Sequence, residues 1–461
     1  MARPVVALRS SHSADPLKPV VIVGAGLSGL AAGVDLSSRG IPVLLLEERP
    51  YAGGRARSFV DETTGDVIDN GQHVLIAGYE RTMQFLATIG SRHRVAVQPT
   101  LALAFHHPVR GFCTLRFPLL PSPFHLLGGI ASTDLLSPVD KLQLLRVGRE
   151  LLFPPTGGAG NHSGLTIAQW LDAAGQSAET KRSFWEPLAL AIMNEHAATA
   201  SARVFLHALR TAFVRHRRNA ALVVPAVGLS SLFSDPAQEF IRTHGGSVRC
   251  RTTVVTTRMD GGRVVAVCTR EGDEIPCTSM ILAVPPREAS ALLPEPLRAE
   301  GFMKEMAAVP MSPIVSIHLW YPTDFMPQEH LGLIDKRIQW VFHRRKTLRK
   351  KGAGGHLSAV ISAGDREVEM TNEQLVALAS EDLVEVFGNE AGAPVHAVVI
   401  REKRATFSCA PAVDLLRPDQ ATPIPNMFLA GDWTATGLPA TIEGAVISGE
   451  RCAALAAQCA D

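Results

Sequence analysis

The chain has 461 residues, 46% of them hydrophobic, and a formal net charge of +1. That length supports two or three structural units with sizeable buried cores, and the near-neutral charge excludes the strongly basic face that nucleic acid requires. The seven cysteines form no CxxC pair and no zinc spacing, which points to thiols in a reducing compartment and to no metal site.

Residues 1–18 are polar and Ser-rich and read as a disordered lead-in to a cytoplasmic protein. No stretch reaches 18 uninterrupted apolar residues, so no transmembrane helix is expected. The first strong pattern is VVIVGAGLSGLAAGVDLSSRGIPVLLLEE at 20–48: strand, turn, helix, strand. Gly24 permits the tight turn, Gly26 lets a pyrophosphate approach the backbone, and Gly29 lets the helix pack close to the strand. Leu27 and Ser28 open a helix whose free N–H groups and dipole favour an anion. Glu47 closes the second strand about 20 residues on, where an acceptor meets a ribose hydroxyl. Glu48 and Arg49 follow it, then Gly53, Gly54 and Arg55, a second glycine pair and a guanidinium suited to a long diphosphate cofactor.

Residues 57–69 predict a hairpin that delivers Asp69-Asn70-Gly71-Gln72-His73, either a plain turn or a cluster of site residues. Helical spacing follows at 78–90, ending on a glycine. Between 101 and 151 the chain is apolar and punctuated by prolines, and it reads as a helical cap with its own core or as a lipid-facing or tunnel-lining surface. Residues 154–164 (PPTGGAGNHSG) read as a flexible loop, since no strand precedes their glycines. Thr166 and Gln169 make a capping box for a short helix. At 223–229 the chain returns to the nucleotide-binding half, and the DGG and EGD turns within 247–284 predict an antiparallel meander of three or four strands.

Strand candidates then fall at 314–320, 339–342, 357–362 and 395–401, with a helix at 372–387 begun by Thr371. Residues 343–351 (HRRKTLRKK) carry six Lys/Arg, either a solvated loop or, at about 1 kcal/mol per cation, a docking point for an anionic membrane. Last, Met427 to Ala430 form a short strand turned by Gly431, and Asp432 faces the cofactor. A final helix opens with Thr441, Ile442, Glu443, Gly444 and Ala445, its N–H groups available to a reduced ring. The fold class expected is α/β. A Rossmann-like domain is built from 19–90, 223–288 and 425–461, and interleaved with it is an α+β substrate domain from 91–222, helical and apolar, and 289–424.

The GGR segment resembles that of flavin-dependent amine oxidases and carotenoid desaturases, which implies FAD as cofactor. The fingerprint at 24–29, DNGQH, FWEPLALAIMNEHAATASARVF, VPAVGLS, RATFSCAP and AGDWT together resemble the bacterial hydroxysqualene dehydroxylases, over nearly the whole chain after Lys18. The resemblance implies reductive conversion of hydroxysqualene to squalene in hopanoid synthesis: an allylic alcohol ionises and reduced flavin N5 delivers hydride to the cation. His73 and Asp69 are the candidates for proton donation or electrostatic support, and Val254 would offer its backbone to the adenine. No second nucleotide fingerprint exists, so electrons must come from an external donor (NADPH, a reductase or a quinone). A long isoprenoid substrate implies peripheral membrane contact through 112–151, 343–351 or both, alongside other enzymes of squalene metabolism. The alternatives are an FAD-dependent carotenoid desaturase or amine oxidase, the latter weakened because Thr441 stands where an aromatic is usual, and a non-catalytic isoprenoid carrier.

Overall fold

Four apolar runs, Val20–Val23, Val43–Leu46, Ser279–Leu282 and Met427–Leu429, are buried along their whole length. In the computed structural model, which describes residues 18–153, 162–350, 352 and 354–459, they join Ser247–Arg249 in one parallel sheet. The strand order is 247–249, 43–46, 20–23, 279–282, 427–429. Burial on both faces explains the continuous apolar runs. Val20, Ile22, Leu45, Ile281 and Phe428 enter a core with helices Leu27–Ser38, Asp235–Thr243 and Ile442–Ala457. Val21, Val23, Leu44, Leu46, Met280 and Leu282 enter a second core with Val264 and Val267 of the meander. That meander has three strands, Val254–Asp260, Arg263–Thr269 and Glu274–Pro276. The expected extension of it through 279–284 is corrected: Ser279–Leu282 lies inside the parallel sheet, between Val20–Val23 and Met427–Leu429, because a strand without a polar face cannot sit half exposed.

The second large sheet has seven strands, in the order His396–Phe407, Met311–Tyr321, Gly355–Ser362, Trp340–His343, His330–Leu333, Ala102–His107 and Gly111–Arg116. Val315, Ile317, Leu319, Leu357, Ala359 and Ile361 pack against Leu375, Ala379 and Leu383. Those last three lie on the helix Asn372–Phe387, which starts with a complete capping box of Thr371 and Gln374. The opposite face of the sheet carries Ser316, His318, Trp320, His356 and Ser358, alternating with the core residues as strand periodicity demands.

The expectation that 91–222 is helical is corrected in its first part. Ala102–His107 and Gly111–Arg116 form a hairpin that pairs with His330–Leu333 and extends the substrate sheet. Its signal was period 2: Cys113 and Leu115 are buried between exposed Phe112, Thr114 and Arg116, and Gly111 takes the turn at φ 72°. Helices Phe124–Ser132 and Pro138–Leu152 follow. The lead read at 1–18, save Lys18, and most of the loop read at 154–164 lie outside the described residues.

Candidate functional site

The three fingerprint glycines do three different things. Gly24 sits at φ 101°, and a methyl group there would lie 2.5 Å from the Ala283 carbonyl oxygen; a methyl on Gly29 would lie 2.0 Å from Gly24 O. A methyl on Gly26 would meet no protein atom within 4 Å, so the space above it is open. Helix Leu27–Ser38 begins there with no side-chain cap and no acidic residue in its first turn, leaving its first N–H groups for a ligand. Glu47 is buried at the end of its strand, accepting from Ala25 N–H at 2.8 Å and Arg49 N–H at 3.0 Å. A carboxylate with one bond per oxygen keeps lone pairs free for hydroxyls. Gly53 N–H donates to Ala25 O, and Gly54 at φ 59° lies against Gly26, so the second glycine pair seats on the first loop. Glu48 and Arg49 are exposed. Thr252 N–H donates to Glu47 O and Arg251 N–H to Arg49 O, which brings the segment entering Val254 beside the acid.

The chain's far end closes the same crevice. Arg55, its side chain 40% exposed, donates through Nη2 to both Asp432 carboxylate oxygens at 2.8 Å. Gly431 N–H is held by Ser448 Oγ at 3.0 Å. The turn after it is organised by Arg417, buried and missed by sequence reading, which donates to the carbonyls of Asp432, Trp433, Thr434 and Leu438. Thr441 caps the last helix. Glu443, expected at the cofactor, is turned away: its carboxylate accepts from Arg81 N–H, Thr82 N–H and Thr82 Oγ at 2.6–3.0 Å and caps the helix Glu80–Thr88. Ile442 and Ala445 remain half-buried.

Between these ends stands the segment 69–73. Asp69 Oδ1 accepts from Ser58 Oγ at 2.7 Å and Leu229 N–H at 3.0 Å, and Oδ2 pairs with Arg344 Nη2 at 2.7 Å. With both oxygens occupied as acceptors beside a guanidinium, Asp69 anchors the segment, and of its two expected roles this geometry fits electrostatic support better than proton donation. Arg344 also donates to Gln72 Oε1 at 2.7 Å, so it holds the segment at two points. Both members of the ion pair are 2% exposed or less. The basic run 343–351 is therefore not a free cationic loop: Arg344 is inside, His343 contacts Asp324, Lys346 pairs with Asp324 and Lys350 with Asp66, and Lys351 lies outside the described residues. Of the six cations, Arg344 is thereby withdrawn from any surface contact.

His73 Nδ1 lies 2.9 Å from Gly71 O. A carbonyl only accepts, so Nδ1 carries the hydrogen and Nε2 is the acceptor of the neutral ring. Burial depresses His73 below the ordinary histidine range despite the Gly71 carbonyl and the Asp69 charge. The expected proton donor is thus a neutral imidazole near pH 7, equipped to accept. Behind it, His318 Nε2 lies 3.3 Å from Asp69 O and His318 Nδ1 3.3 Å from His356 Nε2. Trp320 stacks on His356 at 4.1 Å and donates to Asp66 Oδ2. Burial pushes His318 down to about 4 and His356 to about 2. Sequence reading missed these two histidines, which stand two residues from Trp320 and from Ser358 on alternating strands.

An open Gly26, an uncapped helix, an acid with spare lone pairs and a half-exposed guanidinium meet at the carboxyl ends of parallel strands, and this donor set fits an extended diphosphate cofactor. In class, the protein is a flavin-dependent oxidoreductase. Residues 27–457 match the family described as flavin containing amine oxidoreductase. The chain is 32% identical to a hydroxysqualene dehydroxylase of Sinorhizobium fredii, covering 95% of this chain and 98% of that one. It is equally similar, with the same coverage, to a hydroxysqualene dehydroxylase of Rhodopseudomonas palustris. A zeta-carotene desaturase of Zea mays is 25% identical over 96% of this chain and 84% of that one. An oxidoreductase from Methanosarcina mazei shares the fold with a TM-score of 0.73 at 17% identity, over 94% of this chain and 98% of that one. Putrescine oxidase bound to putrescine shares it with a TM-score of 0.69 at 18% identity, over 95% and 98%. The chain belongs to the flavin containing amine oxidoreductase family, in the branch shared with the hydroxysqualene dehydroxylases.

Proposed function

We propose that the protein binds FAD and removes the hydroxyl group of hydroxysqualene reductively, giving squalene for hopanoid synthesis. The observation that carries this reading is the match to relatives of that name along 95% of the chain, substrate half included. In that half the motif MNEHAATAS joins separate elements. Asn194 bonds Thr406 Oγ1 and Ala363 N–H, and Glu195 accepts from Ser408 and from Cys409 N–H. The reaction balances as follows: the C–O bond breaks, the oxygen leaves with one added proton as water, and carbon gains a hydride. When bound and reduced by an external donor such as NADPH, a reductase or a quinol, the flavin would supply that hydride. The protein's own part is to hold the alcohol, keep water out and handle the proton. A neutral His73 suits the first contact with the hydroxyl; the proton that leaves with water enters from solvent or from His73 after it is charged.

The substrate already sits in an apolar phase, so burying its methylenes gains little beyond what the bilayer gives, and a lipid-facing mouth is required. Exposed Leu119, Phe124 and Leu127 on and beside helix Phe124–Ser132, and exposed Val139, Leu142 and Leu145 at three-residue spacing on helix Pro138–Leu152, support that surface. Among the described residues no helix is long and apolar enough to cross a membrane. The purified flavoprotein, chemically reduced without oxygen, should convert hydroxysqualene to squalene. Turnover of phytoene or an amine in its place would move the reading to a desaturase or an oxidase, and a redox-inert flavin would move it to a carrier.

A further inference from the structure

Ser316 lies in the middle of Met311–Tyr321, between Val360 and Ile400 on the neighbouring strands. It is 1% exposed, and its Oγ has no hydrogen-bond partner among the described residues. Buried hydroxyls are nearly always bonded, so an orphan in an apolar strand centre asks for a ligand or an ordered water. Its position says which part of a ligand. A methyl group placed on Gly71 would lie 3.7 Å from His73 Cε1 and 3.9 Å from Ser316 Oγ, so the two side chains flank one small space over that glycine. Gly71 itself is fixed between Asp69 and Gln72, both held by Arg344.

One side of that space offers a hydroxyl free to donate, and the other an imidazole whose Nδ1 is committed to Gly71 O. Together they match an alcohol, which accepts from one partner and donates to the other. We propose that Ser316 and His73 form the point that recognises the hydroxyl of the substrate, making the site selective for an oxygenated triterpenoid over the hydrocarbon of the same skeleton. This rests on the function proposed above and adds the residue that sets its specificity. A site built to bond a hydroxyl discriminates strongly against an analogue lacking it, because its polar groups are left unpaired.

The test is binding to the oxidised holoenzyme in detergent micelles, where no turnover occurs, read from the flavin absorbance change with hydroxysqualene and with squalene. The wild type should bind the alcohol more tightly. Ser316→Ala should lose about tenfold of that preference, leave squalene binding within about twofold, and keep its flavin and melting temperature. Ser316→Cys, which retains the volume with a weaker donor, should lose part of it and serves if the alanine variant does not fold. A folded, flavin-loaded Ser316→Ala with undiminished preference overturns the proposal and marks the hydroxyl as served by water alone. A wild type that neither binds nor turns over the alcohol overturns the parent function and this inference with it, an outcome told apart by the wild type alone.

Discussion

Replacing Arg344 by methionine should be among the most damaging single changes in the protein. The guanidinium and the Asp69 carboxylate are 1% and 2% exposed and 2.7 Å apart. The variant strands a carboxylate that keeps Ser58 Oγ and Leu229 N–H as donors but loses its counter-charge. Breaking one partner of a buried pair costs about 3–5 kcal/mol, a large part of a total stability of about 5–15 kcal/mol. Asp69→Asn should cost a comparable amount by stranding the guanidinium. The double variant, with neither charge left to desolvate, should recover to within about 1–2 kcal/mol of the wild type. Urea unfolding of the holoenzyme, followed in parallel by far-ultraviolet circular dichroism and by fluorescence of released flavin, measures both the loss and the coupling. Single variants within about 0.5 kcal/mol of the wild type, which is the range of an ordinary surface change, or a double variant as damaged as the sum of the two, would refute the assignment of this pair as the anchor of 69–73.

Gly26→Ala, at φ −70° with open space above it, should leave the apoprotein's melting temperature unchanged while bound flavin falls at least about tenfold; Gly29→Ala, clashing with Gly24 O, should instead destabilise the apoprotein by about 1–3 kcal/mol. His318 and His356 are held far below their ordinary value of 6.5, so the unfolded chain binds protons that the folded one refuses. Stability should be complete above pH 6.5 and fall as pH drops toward about 4, by up to about 1.4 kcal/mol per pH unit for each histidine; a His318→Asn, His356→Gln variant should show a flatter melting profile over that window. Arg417→Lys, which cannot reproduce the fork to several carbonyls, should cost at least about 2 kcal/mol and speed flavin release, seen by stopped-flow fluorescence. Leu127→Asp with Leu142→Asp should cut liposome flotation about a hundredfold or more, at about 1.5–3 kcal/mol per apolar side chain, without altering the melting temperature.

What could be read from sequence was whatever depends on near neighbours. The glycine loop is such a case, since each glycine answers to backbone atoms set by strand, turn and helix in one unit. So is the helix Asn372–Phe387, whose start is written in Thr371 and Gln374, and the capping box of Thr166 and Gln169. Partnerships across the chain were not readable. Arg344 stands in a run of cations whose local composition says solvent, and only the fold brings it to Asp69, 275 residues away. Glu443 sits in a motif that suggested the cofactor, yet its partner is the start of Glu80–Thr88, over 360 residues earlier. The hairpin 102–116 was misread because Pro108, the prolines that follow it and the apolar tracts around them hid a period-2 pattern that only sheet pairing makes decisive.

The substrate sheet ties the proposed mouth to the proposed reacting end. Gly111–Arg116, on the edge beside the exposed apolar helices, is five strands from Met311–Tyr321, which carries Ser316 and His318. At about 4.8 Å per strand that is a path of about 24 Å, directed across the strands rather than along them. On the function proposed above, a long isoprenoid running across those strands would keep its trailing units near the bilayer while its hydroxylated part reaches 69–73. The same segment is gripped from both halves, by Ser58 and Leu229 on the nucleotide side and by Arg344 and His318 on the substrate side. On the function proposed above, the alignment of substrate with cofactor would be set where the two halves share one buried strand end, and a change in the distant edge hairpin should alter uptake of the substrate while leaving that alignment intact.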